Sequence, residues 1–174
     1  MEKELVMSNM MKRREFINKS ALGMVVAAGS SYLIPGIANA ANVPGWPAAP
    51  FDAKVLDKAM EASIKTTSVT TSPKVHLTAP TIAENGAAVP VTVDVDYPMD
   101  PDDYIDTIYL YIDHNPTPLA SEFHFTPANG RAYFQERVKM AKTDHMRVVA
   151  KTNKGVLMAS APREVKVTIG GCGG

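Results

Sequence analysis

From Val89 to Asp96 four valines, Val89, Val91, Val93 and Val95, alternate with Thr92, Asp94 and Asp96. Successive side chains of a strand point to opposite faces, so this spacing fits a strand with one packed face and one wet face and does not fit a helix. Short runs of β-branched and aromatic residues continue from about residue 73 onward, at 74–77, 88–96, 106–112, 119–125, 131–140, 145–151, 155–159 and 164–169. Between them, Asn85-Gly86, Asn129-Gly130 and Asn153-Lys154-Gly155 supply positions that tolerate a left-handed backbone. The expected fold class is all-β, an antiparallel β-sandwich of seven or eight strands.

One helix is predicted ahead of the strands. Over 52–65, Val55, Leu56, Ala59, Met60 and Ile64 recur at the spacings of one helical face, and Asp52 is suited to cap its start. Residues 41–50 are rich in Pro, Gly and Ala and read as an N-terminal arm, with Trp46 available to pin it. Upstream, 11–23 is a basic stretch containing paired Arg13 and Arg14. It leads into an apolar run over 24–34 that is too short to span a bilayer comfortably, then the helix breakers Pro35 and Gly36, then Ala38-Asn39-Ala40. Cleavage is expected after Ala40. Arg13 and Arg14, followed by Glu15, Phe16, Ile17 and Lys19, resemble the twin-arginine signal that exports folded cargo. Met10 and Met11 read as alternative starts, with the residues before them as an upstream extension. The expected division is a leader over 1–40, a domain over 41–169 and an arm over 170–174.

Lys and Arg balance Asp and Glu at 18 each, and the balance stays near neutral once the leader is subtracted. A neutral domain lacks the basic face that phosphate backbones and anionic membranes require, so neither nucleic acid nor a membrane surface is an expected partner.

The chemistry is expected at the end of the chain. After the strand pattern Val165-Lys166-Val167-Thr168-Ile169 comes Gly170-Gly171-Cys172-Gly173-Gly174. Glycines bury no side chain and lose the most backbone entropy on ordering, so Gly170, Gly171, Gly173 and Gly174 are predicted to form a flexible arm, free in solvent from its start. At the usual advance per residue, the arm carries Cys172 roughly 10 Å beyond Ile169, and it is thin enough to enter a narrow channel. Cys172 is the only cysteine, so no disulfide can form within the chain. A protease-like nucleophile needs a base and an orienting group held close by, and a metal site needs several fixed ligands; a lone cysteine on a flexible arm has neither. Prenylation would require the cysteine one place earlier. A substrate-delivering thiol remains. Because an ordinary exposed thiol titrates near pH 8.5 and is only a few per cent ionised at pH 7, partner enzymes are expected to activate it.

This tail, together with Ile82-Ala83-Glu84-Asn85-Gly86-Ala87-Ala88-Val89-Pro90-Val91, Asn115-Pro116 with Pro118, and Phe123-His124-Phe125-Thr126-Pro127, resembles the SoxY family, sulfur carriers of periplasmic thiosulfate oxidation. The resemblance implies an immunoglobulin-like sandwich, a non-enzymatic role, and Cys172 as the covalent carrier of thiosulfonate and persulfide intermediates, with no cofactor and no metal. It also implies a SoxZ-like β-sandwich partner, a haem-containing enzyme that joins thiosulfate to the thiol, and a hydrolase that releases sulfate. Two other readings stay open: a ubiquitin-like carrier activated at the Gly173-Gly174 carboxylate, and a plain immunoglobulin-like interaction module. The leader argues against the first, since carboxylate activation consumes ATP, and the second leaves the tail unexplained.

The acidic stretch of Asp94, Asp96, Asp100, Asp102, Asp103 and Asp106 lacks the glycine and terminal glutamate of a calcium loop, and is expected to be a solvated strand end and turn. His76, His114, His124 and His145 form no ligand motif, and Met140, Met146, Met158, Tyr109, Tyr111 and Tyr133 are expected in the core or a partner interface.

Overall fold

A computed structural model describes residues 48–171. The leader with Arg13 and Arg14, Trp46, and the residues Cys172, Gly173 and Gly174 lie outside the described residues.

Strands β1 (Val75–Thr78), β3 (Val89–Val95) and β6 (Ala132–Val138) form one sheet, in the order β1-β3-β6. The second sheet runs β2 (Ile82–Asn85), β9 (Arg163–Ile169), β7 (Asp144–Thr152), β4 (Ile105–Ile112) and β5 (Leu119–His124), with β8 (Leu157–Ala159) paired to β7. The inward valines of β3 are at most 2% exposed, as their alternation requires. They pack with Ile105, Ile108, Leu110 and Ile112 of β4, with Met146 and Val148 of β7, and with Val165 of β9, so one core fills the space between the sheets. Pro90 is tolerated in the central strand β3 because β1 covers only Thr92 to Val95, leaving Pro90 beyond its reach. The all-β sandwich is therefore as expected.

Three features differ from the sequence expectation. The first is β2, which adds a ninth strand among the described residues. It has four residues, its Ile82 is 62% exposed, and only Ala83 reaches the core, so it carries too little periodicity to be legible. It is placed by its ladder to β9, and that pair is parallel in an otherwise antiparallel set, because the chain crosses from β1 into the second sheet and runs alongside β9.

Second, the helix predicted over 52–65 is two helices, α1 (Ala48–Asp52) and α2 (Leu56–Ile64). Asp52 ends α1 instead of capping the longer helix, and Val55, 59% exposed and extended, is the N-cap of α2. Residues expected in the N-terminal arm thus turn into α1, which buries Pro50 and lets Phe51 pack against the cluster under α2. Third, β4 has no wet face. Ala59, Met60 and Ile64 of α2 cover Tyr109, Tyr111, Leu119 and Val149 on the outer side of the second sheet. Tyr111 shares a 2.6 Å hydrogen bond with Ser63 of α2, while burial pushes its hydroxyl pKa well above the ordinary tyrosine value.

The edge strands β5 and β6 of the two sheets are joined where Ser121 donates to the Glu136 carboxylate, beside the stacked Phe123 and Phe134 rings at 4.0 Å. Burial holds the Glu136 carboxyl above its ordinary value of 4.5, and the Ser121 bond offsets part of that rise. The folded chain therefore binds this proton more tightly than the unfolded chain. Ionisation subtracts stability as pH rises from about 4.5 through the folded value, and the loss is constant above it. Glu136→Gln is expected to raise the melting temperature by a few degrees, about 2–4 °C, at pH 7 and by nothing near pH 3.5. Thermal melts at both pH values check this, and an equal gain at both would show that ionisation is not the cause.

Candidate functional site

Strand β9 delivers the chain to the tail, and its neighbours hold that exit. The Val167 amide donates to Thr143 Oγ1 at 2.9 Å, tying β9 to the loop before β7. Two residues past Ile169, the Gly171 amide donates to the Met140 carbonyl at 2.9 Å, and the Met140 amide donates to the Gly86 carbonyl at 2.7 Å. Three backbone stretches thus meet: the turn after β2, the strap of 139–141 after β6, and the root of the tail. Gly171 and Gly86 are buried there, against a Met140 with no exposed surface.

The approach is close enough to exclude side chains. A β-carbon on Gly86 would sit 2.2 Å from the Met140 oxygen and 2.7 Å from the Gly171 nitrogen. On Gly171 it would sit 2.6 Å from the Gly86 oxygen, and on Gly170, 2.2 Å from the Ala141 oxygen. These glycines are required by proximity to backbone. The expectation for Asn85-Gly86 as a left-handed turn is corrected accordingly. Positive φ falls at Gly130 (+67°) and Gly155 (+83°), as well as at Lys65 (+64°), which closes α2; Gly86 instead opens a 3₁₀ turn, Gly86–Ala88, where Asn85 Oδ1 accepts from the Ala87 amide at 2.8 Å.

The strap is held from behind by the loop after β4. Asn115, 4% exposed, donates through Nδ2 to the Lys139 carbonyl at 2.8 Å and accepts through Oδ1 from the Ala141 amide at 3.0 Å. Asp144, also 4% exposed, accepts from the backbone amides of His114 at 2.6 Å and His145 at 2.8 Å, and pairs with the His114 ring at 2.8 Å. Every side-chain hydrogen-bonding group of Asn115 that faces the strap is used, so the peptide that receives Gly171 is fixed in place.

The arm was expected to be free from Gly170 onward, and its root is not. Gly170 and Gly171 are seated because the close approach and the Met140 hydrogen bond offset the entropy that ordering two glycines costs. Cys172 follows immediately in the chain. Gly86, Met140, Ala141 and Asn115 were not identified as site residues from the sequence. Gly86 and Asn115 carried signals only as parts of the motifs Asn85-Gly86 and Asn115-Pro116.

The remaining candidates lie elsewhere. Within the acidic stretch, Asp94 pairs with Arg131 at 2.5 Å, Asp103 pairs with Lys154 at 3.2 Å and accepts from the Tyr97 hydroxyl at 2.9 Å, and Asp106 pairs with Lys151 at 3.7 Å. Among the described residues no group of three or more His, Cys, Asp or Glu side chains is arranged to hold a metal ion, and no helix is long and apolar enough to cross a membrane. His124 turns outward between Phe123 and the buried Phe125, beside Glu122 at 3.1 Å.

The site is thus a β-sandwich whose last strand runs into a glycine-rich tail, with Gly170 and Gly171 at its root held close against the 139–141 strap and the turn after β2. The family described as "Sulfur oxidation protein SoxY" matches residues 60–172, a stretch that includes Gly86, Asn115, Met140, Gly171 and Cys172. The chain belongs to the SoxY family. Among solved structures, the sulfur carrier protein SoxY from Chlorobium limicola f thiosulfatophilum is 35% identical, covering 67% of this chain and 95% of that one, with a TM-score of 0.55. Its fold agrees with the mostly antiparallel, immunoglobulin-like sandwich seen here. A superoxide reductase (neelaredoxin) from Ignicoccus hospitalis is 21% identical over 54% of this chain and 80% of that one; at a TM-score of 0.48 the likeness carries no weight for function. A search of curated proteins finds no match.

Proposed function

We propose that this protein carries thiosulfate-derived sulfur on the Cys172 thiol within an exported thiosulfate-oxidising system, as a covalent substrate of its partners and not as an enzyme. The observation that supports this most directly is the placement of the chain's single cysteine next to Gly171, which is seated at the root of the tail, in a chain of the SoxY family. In the first step the thiolate and the outer sulfur of thiosulfate form an S–S bond, giving Cys–S–S–SO₃⁻ and releasing two electrons to a haem-containing partner. In the second, water attacks the terminal sulfone sulfur. The bond between the outer sulfur and the sulfone sulfur breaks, sulfate and two protons leave, and the persulfide Cys–S–S⁻ stays on the arm.

The chain needs no cofactor of its own in either step. Both act on the arm, so the sandwich has only to present it. Export in the folded state through the Arg13-Arg14 signal suits a carrier that leaves the cytoplasm already bound to a SoxZ-like β-sandwich subunit and works in the periplasm. Intact mass of the full chain, after incubation with thiosulfate and the haem-containing partner, tests the reading. Additions of thiosulfate or sulfur mass that reductant removes are expected; a chain that stays bare under those conditions would overturn it.

A further inference from the structure

We propose that Gly86 is a positioning residue for the carrier arm. With the Met140-Ala141 strap it seats Gly170 and Gly171, so that the arm pivots after Gly171 and not from Ile169.

The fit is reciprocal. The open side of Gly86 faces the Met140 oxygen at 2.2 Å and the Gly171 nitrogen at 2.7 Å, while the open side of Gly171 faces the Gly86 oxygen at 2.6 Å and the Ala87 nitrogen at 2.7 Å, measured from the β-carbon each lacks. Each glycine is needed by the other. Nothing local demands glycine at position 86, since its φ is not in the left-handed region. The hydrogen bonds from the Gly171 amide to Met140 and from the Met140 amide to Gly86 run through all three stretches, so the tail, the strap and the turn move together. Asn115 anchors the strap from the opposite side.

The consequence rests on the carrier reading. An arm that pivots one residue before its cysteine sweeps a smaller volume than one freed at Ile169, which raises the effective concentration of the sulfur adduct at whatever site the domain docks against. Seating also fixes the direction in which the thiol leaves the surface. A partner that reaches deeper must first unseat the root, by breaking the bond from Gly171 to Met140.

The test uses the full chain and the variants Gly86→Ala and Gly171→Ala. In the unsubstituted protein the Gly171 amide is expected to exchange with solvent slowly. In both variants its exchange rises by up to about tenfold, the factor that corresponds to losing roughly 1.4 kcal/mol, the upper end of one backbone hydrogen bond. The core amides of Val93 and Ile108 keep their protection. A nitroxide placed on Cys172, the only cysteine, should show faster motion in both variants. Gly171→Ala lies beyond the last strand, where the chain can move outward to make room, so it decides the matter if Gly86→Ala lowers protection throughout the domain. Free exchange at Gly171 in the unsubstituted chain, or no change in Gly171→Ala, would overturn the seat. Thiosulfate loading measured on unlabelled samples of the same three proteins separates the two proposals. A slow Gly171 amide on a chain that never loads sulfur sinks the carrier reading alone, and a loaded chain with a freely exchanging Gly171 sinks the seat alone.

Discussion

Cys172→Ser is expected to abolish every sulfur addition to the chain while leaving its melting temperature unchanged. Cysteine occurs once in the sequence, so no second thiol can take over. A serine hydroxyl is very weakly ionised at neutral pH and forms no S–S bond, so neither the thiosulfonate nor the persulfide has an atom to sit on. The clusters between the sheets and under α2 are built from residues of the strands and helices, and Cys172 lies past the last strand, so the sandwich is expected to fold without its thiol. Intact mass with and without reductant, beside a thermal melt, reads both halves of the prediction. Additions that persist on the serine variant would place the chemistry elsewhere, and the Gly173-Gly174 carboxylate would be the next site to test. Extending the chain past Gly174 blocks that carboxylate completely while leaving a thiol carrier able to load.

A large loss of stability is expected at Asn115. Asn115→Ala removes both the donor to the Lys139 carbonyl and the acceptor of the Ala141 amide from a site only 4% exposed. An unpaired buried polar group costs about 1–3 kcal/mol, so two partly buried backbone groups left without partners should cost about 2–3 kcal/mol together. In a domain of this size that lowers the melting temperature by about 6–12 °C. The same loosening frees the Met140 carbonyl that holds Gly171, so the Gly171 amide should exchange faster even at temperatures where the core stays folded. Denaturant unfolding and amide exchange measure the two effects. A loss below about 0.5 kcal/mol, within the range of an ordinary surface substitution, would show that the strap does not depend on Asn115.

The valines of β3 and the hydrophobic runs of β4 and β7 were legible because alternation is a local pattern that burial then obeys. Strand β2 was not, because one exposed isoleucine and one small buried alanine leave no pattern; its hydrogen bonds come from β9, far along the chain. The predicted helix split for a related reason. Its apolar spacing continues through Val55, but packing of Phe51 against the outer cluster turns the chain at 53–55 and leaves Val55 in solvent. The wet face expected of the strands is missing from β4, because nothing in its own residues tells whether α2 will lie across it.

The sequence alone determined the β class, the family resemblance and the tail with its single cysteine, since periodicity, motif and composition are carried by neighbouring residues. Only the tertiary structure decided that Gly86 and Gly171 are gripped. Gly86 and Gly171 look alike in the sequence to any turn or tether glycine, and what distinguishes them is a backbone less than 3 Å from the missing β-carbon, brought there by chain segments distant in sequence.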